Sequence, residues 1–126
     1  MSKATYHPDR GDIIHLNLAP SAGHELSGDH FALVISSKRF ARATGFAIVV
    51  PGTSRYHHER KYENQQLMVR LPELAKLNKE GWLYTHQFKS IDYRDRRAAY
   101  VTRVDDDFLI EIMDRVRALI DPDSIA

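Results

Sequence analysis

No cysteine occurs among the 126 residues. That excludes a disulfide framework and any thiolate chemistry, whether catalytic or metal-binding. Long hydrophobic runs are missing too. None approaches the roughly 20 residues a helix needs to cross a bilayer, so no membrane role is expected. The opening residues, Met1 to Pro8, hold no apolar signal core, and the expected location is the cytoplasm. Repeats, low-complexity tracts and long linkers are absent, which reads as a single domain over residues 1–126. A domain of that size buries roughly two thirds of its unfolded surface, enough for one real core.

Net charge is nearly absent as well, at +1, but the total hides an asymmetry. Residues 37–62 carry six basic side chains (Lys38, Arg39, Arg42, Arg55, Arg60, Lys61) against Glu59 alone. Residues 104–126 carry seven acids and two arginines. A basic middle and an acidic end are what one face built for a polyanion would need. Two unrelated solvated surfaces would give the same composition.

Ile13 to Leu18 alternates around His15 and Asn17, the pattern of a half-buried strand. Phe31 to Ser36 is continuously apolar and reads as a central strand. Lys38 to Ala43 suits a short helix before Gly45. Phe46 to Val50 is a third strand, expected to stop at Pro51-Gly52. Thr53 to Gln65 reads as a long polar loop, Gln66 to Leu71 as a strand, and Pro72 to Asn78 as a helical turn. Gly81 to Ile91 looks extended and Ala98 to Val104 is another strand. Phe108, Leu109, Ile112, Met113, Val116, Leu119 and Ile120 share one helical face. Asp105 is a plausible N-cap, with acids following in the first turn, and Pro122 ends the helix. Several short strands and one closing helix imply a mainly β (α+β) fold, a small bent sheet or half-open barrel.

Four motifs stand in order along this frame. The first is Gly11-Asp12-Ile13, followed by Pro20 and Gly23-His24-Glu25. The second is Gly28 with the apolar run to Ser36. The third is Val50-Pro51-Gly52-Thr53-Ser54, and the fourth is His86-Gln87-Phe88-Lys89-Ser90-Ile91-Asp92. Together they resemble the MazF/PemK family, the endoribonuclease toxins of bacterial toxin–antitoxin pairs, over about residues 10–120. The resemblance implies a small SH3-like half-open barrel with a C-terminal amphipathic helix, acting as a homodimer. It implies cleavage of single-stranded RNA, most often messenger RNA, without a metal or other cofactor. It also implies an antitoxin partner that lays an acidic flexible tail over the RNA groove.

In such chemistry the ribose 2′-OH attacks the adjacent phosphate, leaving a 2′,3′-cyclic phosphate and a 5′-hydroxyl. The protein supplies a base, an acid and charge for the phosphorane. The family usually places an arginine before the second strand, beside a threonine ending the third. Here His30 occupies the arginine position, and Thr53 matches the threonine. Histidine lacks the permanent guanidinium fork but titrates near neutrality. His30 and Thr53 are therefore the candidate catalytic residues, with Glu25 in support.

His24 and Ser54 are candidate phosphate or base contacts. Arg55, His57 and His58 lie in a loop where basic and aromatic residues interleave, a composition suited to single-stranded RNA. His86, Gln87 and Lys89 complete the RNA-binding set, Gln87 more as an orienter of loops than as a chemical group. One branch of the family has an acid at the His86 position and an arginine at the Tyr84 position, so that acid/base pair does not carry over. Adjacent histidines rarely face one ion together, and no spaced acid completes a site at His57-His58, so no metal is expected. Arg94, Arg96 and Arg97 with Asp92 and Asp95 read as a solvated turn with local ion pairs.

A second reading keeps the fold without the nuclease. Toxins of the CcdB type bind DNA gyrase through an aromatic-and-carboxylate tail, whereas this chain ends Asp121-Pro122-Asp123-Ser124-Ile125-Ala126 with no aromatic. A third is a catalytically weak relative that keeps RNA or antitoxin binding.

Overall fold

The computed structural model describes residues 5–23, 25–53, 67–72 and 81–124. The chain forms β1 (Asp12–Asn17), β2 (Asp29–Val34), α1 (Lys38–Thr44), β3 (Phe46–Thr53), β4 (Met68–Leu71), β5 (Gly81–Tyr84), β6 (Lys89–Asp92), β7 (Ala99–Arg103) and α2 (Asp106–Ile120). The strands make one antiparallel sheet in the order β4-β5-β3-β2-β1-β7, with β6 on β3. The sheet does not close, which agrees with the mainly β, half-open architecture expected.

Strand β3 organises this sheet. Along one edge it pairs with β2 from Val49 to Gly52. Along the other it pairs first with β6, through Phe46–Val49, and then with β5, through Gly52 and Thr53. Pro51 does not stop the strand as its residue type predicted. It falls between the β6 and β5 ladders, where neither has a residue facing it and an N–H can be missing. Gly52 is required because its position is crowded. A Cβ there would meet the Phe31 ring and the Trp82 carbonyl oxygen at 2.6 Å each.

The two sides of the sheet carry separate apolar clusters. One joins Ile13, Leu33, Val50, Leu71 and Leu83 to Phe108, Leu109, Ile112 and Val116 of α2. Each such side chain taken out of water contributes about 1.5–3 kcal/mol, so the 3.6-residue spacing is what docks α2. The other cluster joins Ile14, Leu16, Leu18, Ala32, Val34, Val49 and Ile91 to Ala41 of α1 and to Tyr93. Alternation along β1 and β2 sends neighbouring residues to opposite clusters.

The caps agree with their sequence signals. Asp105 accepts from the Phe108 N–H at 2.8 Å, and Ser37 does the same for Phe40 at 3.1 Å. Gly45 closes α1 in the left-handed region, with φ 78°. Three expectations need correction. Leu119 and Ile120 share the apolar face but are exposed, at 43% and 67%, so the buried part of that face ends at Val116. The span Gly81 to Ile91 is broken by a 3₁₀ turn at Thr85–Gln87, where the backbone must turn from β5 to β6. Pro72 is not helical, and the rest of the proposed turn to Asn78 lies outside the described residues.

Candidate active-site cleft

The loop from Leu18 to Gly28 is shaped by hydrogen bonds that reach well beyond it. Leu18 N–H donates to the Gly28 carbonyl at 2.8 Å, closing the neck. The Ser21 hydroxyl lies 2.7 Å from the Leu18 carbonyl and 2.8 Å from that of Leu26, so it can donate to either. Arg96 Nη1 donates to the carbonyls of Asn17 and Ala19, both at 3.1 Å. The turn thus holds the loop through Arg96, and none of its arginines forms an ion pair among the described residues. Gln87 Oε1 accepts from Leu26 N–H at 2.8 Å and ties the loop to the 3₁₀ turn after β5.

That tie creates an open cleft of ≈ 340 Å³, lined by residues from three segments. The loop provides Leu18, Glu25 and Leu26, β3 provides Pro51, and the turn into β6 provides His86, Gln87, Phe88 and Lys89. Glu25 sits at the rim in a local turn. Its Oε1 accepts from Ala22 N–H at 2.8 Å, and its own N–H donates to the Ala22 carbonyl at 3.1 Å. The His86 ring stacks on Tyr84, with centroids 6.0 Å apart and planes at 19°. A carboxylate, an imidazole and an ammonium therefore border one space, a set able to move protons beside a bound phosphate.

His30 and Thr53 are not among the residues that line this cleft. The β2–β3 register ends with Phe31 opposite Gly52, one residue short of His30 and of Thr53. Thr53 is buried, at 3% exposure, and pairs with Trp82 of β5. His30 is half-buried, and its Nε2 lies 2.7 Å from the Ser27 carbonyl as a hydrogen-bonded pair. His24, Ser54, Arg55, His57 and His58 lie outside the described residues. Among the described residues, no three His, Asp or Glu side chains group as metal ligands, and no helix is long and apolar enough to cross a membrane.

Sequence reasoning missed Arg96 as a holder of the loop. No local pattern marks it, because its two acceptors are main-chain carbonyls 79 and 77 residues away.

With this geometry in place, comparison with known proteins is decisive. The family described as "PemK-like, MazF-like toxin of type II toxin-antitoxin system" matches residues 9–120. The chain belongs to the PemK/MazF family. Among curated relatives, Endoribonuclease PemK of Escherichia coli is 28% identical over 112 residues, covering 89% of this chain and 81% of that protein. Endoribonuclease toxin MazF of E. coli K12 is 30% identical over 93 residues, covering 74% of this chain and 76% of that one. The crystal structure of MazF (Form-I) from Deinococcus radiodurans superposes with a TM-score of 0.78 at 33% identity, covering 92% of this chain and 98% of that one. A MazE–MazF crystal structure (Form-III) from the same organism matches at 0.72 and 31%, covering 91% and 97%. Both E. coli relatives are named endoribonucleases, and the structural relatives include MazF alone and MazE with MazF.

Proposed function

We propose that this chain is the toxin of a toxin–antitoxin pair, cutting single-stranded RNA, chiefly messenger RNA, sequence-selectively and without a metal. Residues 1–126 act as one toxin domain, in the cytoplasm, as a homodimer. One observation carries the reading. The Gln87–Leu26 bond folds the β1–β2 loop against the turn before β6, so Glu25 shares a cleft with His86 and Lys89 in a PemK/MazF fold.

The reaction follows from the groups available. A base takes the 2′-OH proton as the 2′ oxygen bonds to phosphorus. The bond from phosphorus to the 5′ oxygen breaks, and an acid protonates that leaving oxygen. We assign proton transfer to His30, whose imidazole can serve as general acid or base, with Thr53 donating to a phosphate oxygen and Glu25 orienting the imidazole or acting as base. Lys89, His86 and Gln87 hold the strand in the cleft, joined by His24, Ser54, Arg55, His57 and His58. Within the basic segment 37–62, the cations that follow β3 (Arg55, Arg60 and Lys61) suit an antitoxin whose acidic flexible tail competes with RNA.

The test incubates the protein with long single-stranded RNA in EDTA, comparing wild type with His30→Ala. Discrete cuts with cyclic-phosphate ends, lost at least about 100-fold in the variant, are expected. Cuts that persist move the proton transfer to Glu25 or His86. No cutting from about pH 5 to about pH 9 overturns the nuclease and leaves a binding protein on this fold.

A further inference from the structure

A second cavity, of ≈ 330 Å³, opens at the other end of β1, where Asp12 begins the strand. Six residues at about 3.3 Å each place it about 20 Å of strand away from the cleft. Lys38 and Arg42 line it from α1, four positions apart and so on one helix face. Arg103 of β7 and the rings of Tyr6 and Tyr100 complete that side.

Two carboxylates also border this cavity, but both are already engaged. Asp12 is buried and accepts from the Tyr6 hydroxyl at 2.6 Å, Asp9 N–H at 2.9 Å and Arg103 Nη1 at 3.3 Å. Asp9 Oδ1 accepts from the N–H groups of Arg10 and Lys38, both at 2.9 Å. The side-chain charges of Lys38 and Arg42, by contrast, belong to no ion pair among the described residues. Beside them the Tyr6 and Tyr100 rings meet edge to face, with centroids 6.0 Å apart, and Tyr100 stays 51% exposed.

Two cations outside any ion pair among the described residues attract an anion to this cavity, and an adjacent exposed ring offers a stacking surface. An acidic peptide would use the first feature and ignore the second. A nucleotide uses both, with its phosphate against Lys38 and Arg42 and its base against tyrosine. We propose that this pocket is a second binding site, taking the phosphate of a nucleotide with its base on Tyr100. The source is a free nucleotide or a segment of single-stranded RNA. The site uses no residue of the cleft and stands whether or not the cleft cuts RNA.

The test compares wild type with the double variant Lys38→Ala/Arg42→Ala and with Tyr100→Ala. All three substitutions are at exposed positions, and thermal melts check folding. The probes are 5′-AMP and inorganic phosphate by calorimetry, and a 2′-O-methyl oligonucleotide by fluorescence anisotropy across salt. That oligonucleotide lacks the attacking hydroxyl, so its binding is read independently of cleavage. In the double variant AMP affinity is expected to fall about tenfold or more. The slope of log affinity against log salt is expected to shrink by about 0.7, for the one phosphate that the two cations share. Tyr100→Ala should weaken AMP and leave inorganic phosphate unchanged. An effect on AMP alone assigns the free nucleotide, and an effect on the oligonucleotide alone assigns the RNA chain. Unchanged binding of both overturns the proposal. So does a loss confined to a polyglutamate peptide, which would make this face a protein contact.

Discussion

At its Leu18 end, β1 runs into a loop held by side chains from distant parts of the chain. Gln87 and Arg96 each bind its main chain, and Ser21 closes it from within. At its Asp12 end, one buried carboxylate gathers a hydroxyl, a main-chain N–H and a guanidinium to itself. The first arrangement fixes a backbone and leaves Glu25, His86 and Lys89 facing an open cleft. The second uses up its own polar groups and leaves the neighbouring cations on α1 to face outward. Anchoring through backbone bonds frees side chains for chemistry. Anchoring through a buried charge builds stability, and any binding there falls to residues around it.

The largest expected effect lies at the Asp12 end. Asp12→Ala removes the acceptor of three hydrogen bonds, and the half-buried Tyr6 hydroxyl loses its carboxylate. A loss of about 3 kcal/mol is expected from denaturant melts, with the cleft's RNA binding unchanged in the remaining folded protein. A cost under about 0.5 kcal/mol would erase the contrast between the two ends.

Gln87→Ala should show the opposite balance. It removes the acceptor of the Leu26 N–H, for about 1 kcal/mol of stability. It also releases the loop that carries Glu25, so cleavage should fall about tenfold or more in kcat, with a smaller change in KM. Gln87→Glu keeps the acceptor for Leu26 N–H and should restore the loop. An equal loss in both variants would instead mean that the Gln87 amide touches RNA.

The smallest effects come from pH, and again they separate at the Asp12 end. Burial, the hydrogen bond to Asp12 and the charge of that carboxylate raise the Tyr6 hydroxyl well above its ordinary value of 10.0. Its contribution is therefore complete below that pH and is lost as pH rises beyond it. His7 is lowered from 6.5 by partial desolvation and by the positive charges of Arg42, Arg94 and Lys38. The unfolded chain binds that proton more readily, so stability falls as pH drops below about 6.5. Thermal melts across pH should show both shoulders. Tyr6→Phe should remove the alkaline one alone.

Much of the fold could be read locally. The spacing of Phe108, Leu109, Ile112 and Val116 announces α2 and its buried face, and Asp105 and Ser37 announce their caps. The alternation in β1 and the apolar run in β2 were equally legible. Pro51 and the 3₁₀ turn were misread because a residue's type does not tell which neighbouring strand will face it. The motifs were legible in order, and four residues named from them, Glu25, His86, Gln87 and Lys89, line one cleft. Arg96 could not, since its partners are main-chain oxygens that any sequence would supply.

The sequence by itself determined which segments form strands and helices, which faces are apolar, and which family's motifs the chain carries. Each of those follows from spacing over a few residues, where the period of 2 or 3.6 is set by backbone geometry. Only the tertiary structure decided that Glu25 shares a cleft with His86 and Lys89, that Gln87 pins Leu26 from 61 residues away, and that Lys38 and Arg42 line a second cavity. Those outcomes depend on strand register and loop closure, which a distant contact settles and a local pattern does not contain.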